Sequence, residues 1–423
     1  MRTWSEQRRF PSSRSRPRVL RGLRSAFLGF LILFLSLPAD AVARTGRGGQ
    51  TTLVILSLDG LRHDYPGRVP GGAFSRLQRE GVRAVRLDPP FPASTFPSHA
   101  TLATGCYPDR HGILNSRFLD DRRGEFEKSP DPGWLACEPL WIGAERQGIM
   151  SGVLNWVGSY GAWGGTRPTY HDPAYRERSD RVAAGEVLRW LRLPADRRPR
   201  LIMAYLKGAD HPGHLYGPDS AQVKRRLQSE DAVLSYLLKG VESLPDAGDI
   251  NLLVVSDHGM AGWTRSLDPI AALSRARIRN WTLTSGGCAN VYLERRGDLE
   301  RARRVLLGLP GLEVLAGEAL PEDLHYSFPG RTGDLVLVAP VGTGLGRESS
   351  ASGEPGGGGV HGYRGSEDTM GGIFFGWGPG FRKGGTVERI HAVDVYSLAC
   401  RLLEIRPSGR QQGRVPPGIL RTP

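Results

Sequence analysis

Residues 52–58 read Thr-Leu-Val-Ile-Leu-Ser-Leu, and Asp59-Gly60 follows at once. A run of this length, uncharged and without alternation, suits a strand buried on both faces. Three more runs share its character: Leu201–Leu206 (LIMAYL), Asn251–Ser256 (NLLVVS) and Gly372–Phe375 (GIFF). Stretches of helical periodicity lie between them, at Ala73–Glu80, Asp180–Leu191, Ser220–Lys239 and Ala392–Glu404. This alternation predicts an α/β fold, an open and mostly parallel sheet with helices on both faces. In such sheets ligands bind beyond the carboxyl ends of the strands. The first three runs lead into Asp59, Ala209-Asp210 and Asp257-His258. Three strands therefore deliver metal-type ligands to one edge, which packing of a core does not require.

Outward from this frame, residues 264–345 have a mixed pattern expected to form a smaller accessory lobe. The stretch 342–359 (GTGLGRESSASGEPGGGG) has the composition of a flexible loop and ends just before His361. At the other end, residues 1–24 carry eight Arg, and an apolar run, Ala26–Leu37, follows. With Ala41-Val42-Ala43 behind it, this predicts a signal peptide over 1–43, a catalytic domain over 44–423, and export to the periplasm or the medium. An uncleaved signal anchor is the alternative. The apolar run is short for a membrane span, which takes roughly 20 residues, so no stable span is expected after cleavage.

The formal charge of the 423-residue chain is +13. Residues 1–43 hold eight Arg against Glu6 and Asp40, which leaves +7 on the remainder. That is a mildly basic enzyme able to steer anionic substrates. No basic stripe with interleaved aromatics calls for a nucleic-acid polymer. An apolar share of 39% and a charged share of 23% fit a folded globular chain. The four Cys, at 106, 137, 288 and 400, match no zinc finger or redox pair. One or two disulfides are compatible with export.

Chemistry concentrates in residues 91–105. Pro97 suits the first turn of a helix, which places Thr95 just before the helix N-terminus. Free N–H groups there favour a phosphoryl oxygen. The plain alternative is that Thr95 caps the helix. The surrounding ligands decide against it: Asp59, Asp210, His214, Asp257, His258 and His361 give three carboxylates and three imidazoles. Such a set makes two three-ligand sites with open positions, suited to Zn²⁺.

Five motifs carry a resemblance. They are LDGLRHDY (58–65), TFPSHATLATGCYPDRHGI (95–113), the D-x-x-G-H of 210–214, SDHGM (256–260) and HGY (361–363). In order and spacing the chain resembles the nucleotide pyrophosphatase/phosphodiesterase family of the alkaline phosphatase superfamily, from Leu53 to about Leu403. The resemblance implies an alkaline-phosphatase-like fold and two Zn²⁺ per chain. Asp210, His214 and His361 would hold one; Asp59, Asp257 and His258 the other, with Thr95 bound to it as nucleophile. It further implies hydrolysis of phosphodiester or pyrophosphate bonds, of nucleotides first, through a covalent phosphoryl-threonine. In nucleotide-cleaving relatives, aromatics at the positions of Phe96 and Tyr205 sandwich the base. The family's phosphoryl-contacting Asn falls on Ser116 by count, with Asn115 next door, and Ser98 stands where the family has Asn.

Two alternatives remain open from sequence. A choline- or glycerol-type phosphodiesterase would share every ligand, and a phosphomonoesterase would need an Arg clamp. Cys106-Tyr107-Pro108-Asp109-Arg110 also fits the C-x-P-x-R pattern of sulfatases, but Thr95, ahead of Leu102–Gly105, occupies the nucleophile position.

Overall fold

A computed structural model describes residues 51–172, 178–346 and 356–421. The signal-peptide expectation and the centre of the glycine-rich stretch fall outside these residues. Among those described, no helix is long and apolar enough to cross a membrane.

The central sheet has eight strands. Their spatial order is Gly385–His391, Val82–Asp88, Gly372–Trp377, Ile250–Val255, Thr52–Leu58, Leu201–Leu206, Ser151–Leu154 and Tyr170–Asp172. Thr52–Leu58 lies at its centre, parallel to both neighbours, with Leu53 opposite Leu201 and Asn251. The continuous apolar run is explained by burial on both faces. Val54, Leu56 and Leu58 face a core shared with the helices Ala73–Glu80, Asp180–Leu191 and Ala221–Glu242. Leu53 and Ile55 face a second core, formed with Thr95–Thr104, Leu140–Glu145 and Ala392–Leu403.

Two of the sandwiching helices begin as their sequences direct. Ser179 and Ser220 accept hydrogen bonds from the N–H groups of Val182 and Val223. One strand departs from the parallel expectation. Gly372–Trp377 runs antiparallel to both neighbours. The chain reaches it from His361, already at the edge where Asp59 and Asp257 stand, and so must run away from that edge.

A separate four-stranded antiparallel sheet lies within 264–345, ordered Asn280–Ser285, Cys288–Leu293, Leu335–Val338 and Glu313–Ala316. Side chains alternate across it. Ala289, Val291 and Leu293 pack with the helices Pro269–Arg275 and Leu299–Leu307. Cys288, Val336 and Val338 pack toward Phe96, Ala100 and Phe126 of the main body. The lobe is therefore bonded through its core to the segment that bears Thr95. Cys106 and Cys137 form a disulfide, and Cys288 and Cys400 are buried thiols.

Candidate active site

Three adjacent parallel strands, Ile250–Val255, Thr52–Leu58 and Leu201–Leu206, end at one edge and present Asp257-His258, Asp59 and Asp210. Asp210 opens the helix Asp210–Tyr216, so His214 lies one turn on, and its Nε2 is 3.3 Å from Asp210 Oδ1. His361 Nε2 reaches the same oxygen at 3.6 Å. His258 Nε2 is 3.5 Å from Asp59 Oδ1 and 3.4 Å from Asp257 Oδ2. Two groups of donors result, Asp210–His214–His361 and Asp59–Asp210–His258. Asp210 stands in both, and Asp257 flanks the second.

Thr95 is the first residue of the helix Thr95–Thr104. Its hydroxyl does not cap that helix. Oγ1 instead lies 3.2 Å from His258 Nε2. Ser94 holds the N-cap position, without a side-chain cap bond.

The donor set fits a transition-metal cation on two observations. First, each imidazole points Nδ1 at a backbone carbonyl: His214 at Gly359 (2.9 Å), His258 at Gly259 (2.9 Å) and His361 at Ala93 (3.1 Å). A carbonyl only accepts, so Nδ1 carries the proton and the Nε2 lone pair faces the centre. Second, Asp59 Oδ1, Asp210 Oδ1 and Asp257 Oδ2 are buried and have no hydrogen-bond partner among the described residues. Lone pairs aimed at orphaned carboxylate oxygens need a cation between them.

The titration behaviour shows the same strain. Burial, then the charges of Asp257 and Asp210, push the Asp59 carboxyl well above the usual range. Burial would raise Asp210 as well, but the imidazoles of His214, His361 and His258 outweigh it and hold Asp210 well below. His361 is driven far down by burial and by the neighbouring His258 and His214.

A cavity of about 560 Å³ opens over these groups. Phe96 lines it, with its ring edge-on to Phe126 at 5.8 Å. Tyr205 also lines it, but its surroundings differ from those of a free stacking platform. Its hydroxyl donates to Asp59 Oδ2, and its ring packs edge-on against His99 at 4.5 Å. Ser116 faces the cavity. Asn115 is fully buried behind it, spending its Oδ1 on the Ser116 N–H and leaving Nδ2 unpartnered. His211 is exposed at the rim.

Several wall residues were not singled out in the sequence. Asn155, Trp156 and Tyr160 follow the strand Ser151–Leu154, and Tyr160 donates its hydroxyl to Asn155 Oδ1 at 2.8 Å. Recognition of that strand would have found them by the strand-end rule. Lys128, at the end of the hairpin Arg117–Asp120/Gly124–Glu127, and Lys207 bring ammonium groups to the wall. Thr284, Ser285 and Gly286 come from the accessory sheet. Cys106, the residue of the sulfatase-like pattern, is held in its disulfide with Cys137.

Known proteins resemble this chain in sequence and in fold. The chain is 32% identical over 391 residues to an uncharacterized pyrophosphatase/phosphodiesterase of Schizosaccharomyces pombe, covering 87% of this chain and 80% of that protein. It is 29% identical to human ectonucleotide pyrophosphatase/phosphodiesterase family member 1, over 84% of this chain but 40% of the relative. Venom phosphodiesterase 2 of Crotalus adamanteus is 27% identical, over 85% and 46%. The chain thus spans less than half of these two longer relatives. Among solved structures, murine ectonucleotide pyrophosphatase/phosphodiesterase 5 superposes with a TM-score of 0.80 at 28% identity, covering 88% of this chain and 100% of that one. An inactive form of the same murine protein, in complex with AMP, gives 0.79 at 28% identity over 86% and 97%. With residues 53–364 also matching the family model, this chain belongs to the type I phosphodiesterase/nucleotide pyrophosphatase family, within the alkaline phosphatase superfamily.

Proposed function

We propose that this protein is an exported two-zinc hydrolase that cleaves phosphodiester and pyrophosphate bonds of nucleotides through a covalent phosphoryl-threonine at Thr95. The observation that carries the reading is the convergence, at one sheet edge, of the Thr95 hydroxyl with an orphaned oxygen on each of Asp59, Asp210 and Asp257 and with the Nε2 atoms of His214, His258 and His361. Asp210, His214 and His361 would hold one zinc; Asp59, Asp257 and His258 the other. Bound there, the ions would supply charge stabilisation for the phosphoryl oxygens and ease deprotonation of the nucleophile.

The chain's own groups define the rest. Thr95 Oγ1 attacks phosphorus, and the bond to the leaving oxygen breaks. Water then attacks the threonyl diester, and the Thr95 hydroxyl is restored. We assign the hydroxyl of Ser116, which lines the cavity, as the donor to a phosphoryl oxygen, the part taken by Asn in the family. Phe96 and Tyr160 offer rings on the cavity wall for a base, and stacking contributes about 1–3 kcal/mol per base.

Charge at the rim favours an anionic substrate over a cationic head group. Lys128 and Lys207 have no acidic partner among the described residues, and Arg117 is already held by Glu125 and Glu127. Two ammonium groups on the wall oppose a choline moiety, and Arg117, so engaged, is not a free clamp for a phosphomonoester. The murine relative bound to AMP supports the nucleotide reading. The test compares kcat/KM for p-nitrophenyl esters of thymidine monophosphate, of phosphorylcholine and of phosphate itself. The nucleotide diester should lead. An equal or better rate on the choline ester or the monoester refutes the substrate assignment.

A further inference from the structure

Beneath the turn that delivers Asp210 lies a buried charged cluster that the chemistry above does not use. Asp180 and Glu230 are 3% and 0% exposed. Asp180 opens the helix Asp180–Leu191, and Glu230 sits inside the neighbouring helix Ala221–Glu242. Arg226, one turn before Glu230, pairs with Asp180 and, at 2.7 Å, with Glu230.

The same groups also hold the turn. Arg226 Nε donates to the Gly208 carbonyl at 2.6 Å, and the Lys207 N–H donates to Asp180 Oδ1 at 2.9 Å. The turn in turn grips the other half of the site: the N–H groups of Ala209 and Asp210 donate to the Asp59 carbonyl at 2.8 and 3.1 Å. Contact leaves it no slack. Gly208 has φ +52°, and a Cβ there would lie 2.1 Å from the Asp59 carbonyl oxygen. Gly60 has φ +67°, and its Cβ would lie 2.8 Å from Asp210 Cα.

We propose that Arg226, Asp180 and Glu230 form a buttress that positions Asp210, and with it the spacing between the two groups of ligands. These are positioning residues, acting through the Lys207–Ala209 turn, and the assignment rests on Asp210 being a metal ligand. The chemistry of the trio suits the task. A guanidinium fork serves a carbonyl and two carboxylates at once, whereas an ammonium is a single point charge. Burial, then the adjacent Asp180 charge, raise the Glu230 carboxyl well above its usual range. An amide at position 230 keeps the shape of the side chain and an oxygen able to accept from Arg226.

Outer partners of metal ligands typically govern affinity by about 10–100-fold. The test equilibrates the purified full-length protein against zinc buffers of falling free zinc and counts bound zinc by mass spectrometry. Thermal unfolding of the metal-stripped protein is followed in parallel. Arg226→Lys and Glu230→Ala should lose one of the two zinc ions at about 10–100-fold higher free zinc than wild type, with kcat falling more than KM changes. Glu230→Gln should stay within about twofold of wild type, since its amide oxygen keeps an acceptor for Arg226 in the same shape. If Arg226→Lys does not fold, Arg226→Met/Asp180→Asn removes both charges together and takes its place. Folded variants that keep both ions at wild-type free zinc overturn the proposal. So does simultaneous loss of both ions in step with lost stability, which would mark a purely structural role. A wild-type protein without two transition-metal ions is recognised before any substitution is made, and refutes the two-zinc reading itself.

Discussion

Replacing Tyr205 with Phe removes one hydroxyl and keeps the ring. That hydroxyl donates to Asp59 Oδ2, and Asp59 is 4% exposed. Water has little access to replace the lost donor. A hydrogen bond to a charged group contributes about 1.5–3 kcal/mol, or about 10–150-fold in an equilibrium or rate. The loss should appear as weaker zinc binding at the Asp59 site and lower kcat/KM. Because a metal ligand would serve every substrate, a thymidine diester and a methyl diester with the same leaving group should suffer alike. A stacking role predicts the reverse: Tyr205→Phe is harmless, and Tyr205→Leu costs about 1–3 kcal/mol on the nucleotide alone. The assay is kcat/KM on both diesters for both variants, with zinc affinity measured alongside. A wild-type Phe variant, together with a Leu variant impaired only on nucleotides, would refute the positioning role and restore the base-sandwich expectation.

Other substitutions test neighbouring parts of the site. Thr95→Ala should abolish turnover with metal content retained, and Thr95→Ser should keep part of it; diester hydrolysis at the wild-type rate by the Ala variant would end the covalent mechanism. Ser116→Ala should cost about 10–100-fold in kcat through the lost phosphoryl donor, and if Asn115→Ala shows that loss in its place, the assignment belongs to Asn115. His111, buried and bonded to Thr101 Oγ1 and the Ile113 N–H, has its pKa lowered to about 3 by burial. The unfolded chain then binds the extra proton between pH 6.5 and 3, so this contribution is complete above pH 6.5 and is lost as pH falls. Relative to His111→Gln, urea titrations should show wild type losing about 2.5 kcal/mol between pH 7 and 4.5, and parallel pH profiles would contradict the buried neutral state.

Strands with both faces covered were legible because burial on two sides leaves a continuous apolar run. The strands that escaped notice lack that signature for identifiable reasons. Val82–Asp88 carries Arg83 and Arg86, and Arg86 pairs with Asp88 inside the protein. Gly385–His391 is an edge strand with several exposed side chains. Ser151–Leu154 is four residues long and includes Ser and Gly. The reversed direction of Gly372–Trp377 has no local signal at all, since burial is the same whichever way a strand runs. It follows from His361, which holds the preceding segment at the ligand-bearing edge.

The candidate metal-binding residues were legible because strand ends and motif spacing are local properties. What each supporting side chain bonds to is not local, and Tyr205 shows where the difference enters. Asp59 is 146 residues away in the chain. In the sheet, Tyr205 stands opposite Ser57, and Leu206 opposite Leu58. Side chains alternate along a strand, so Ser57 and Asp59 share a face, and Tyr205 shares it with them. Its hydroxyl therefore extends diagonally to the carboxylate two positions on, within reach of a long side chain. Motif order alone cannot choose between this bond and a ring turned to a base. Register can, once Leu201–Leu206 is known to neighbour Thr52–Leu58. The same logic covers Arg226, whose reach to Gly208 depends on how the helix Ala221–Glu242 packs beneath the strand. A Phe at position 205 preserves the register and the ring and removes only what the register created, which is why that one substitution separates the two readings.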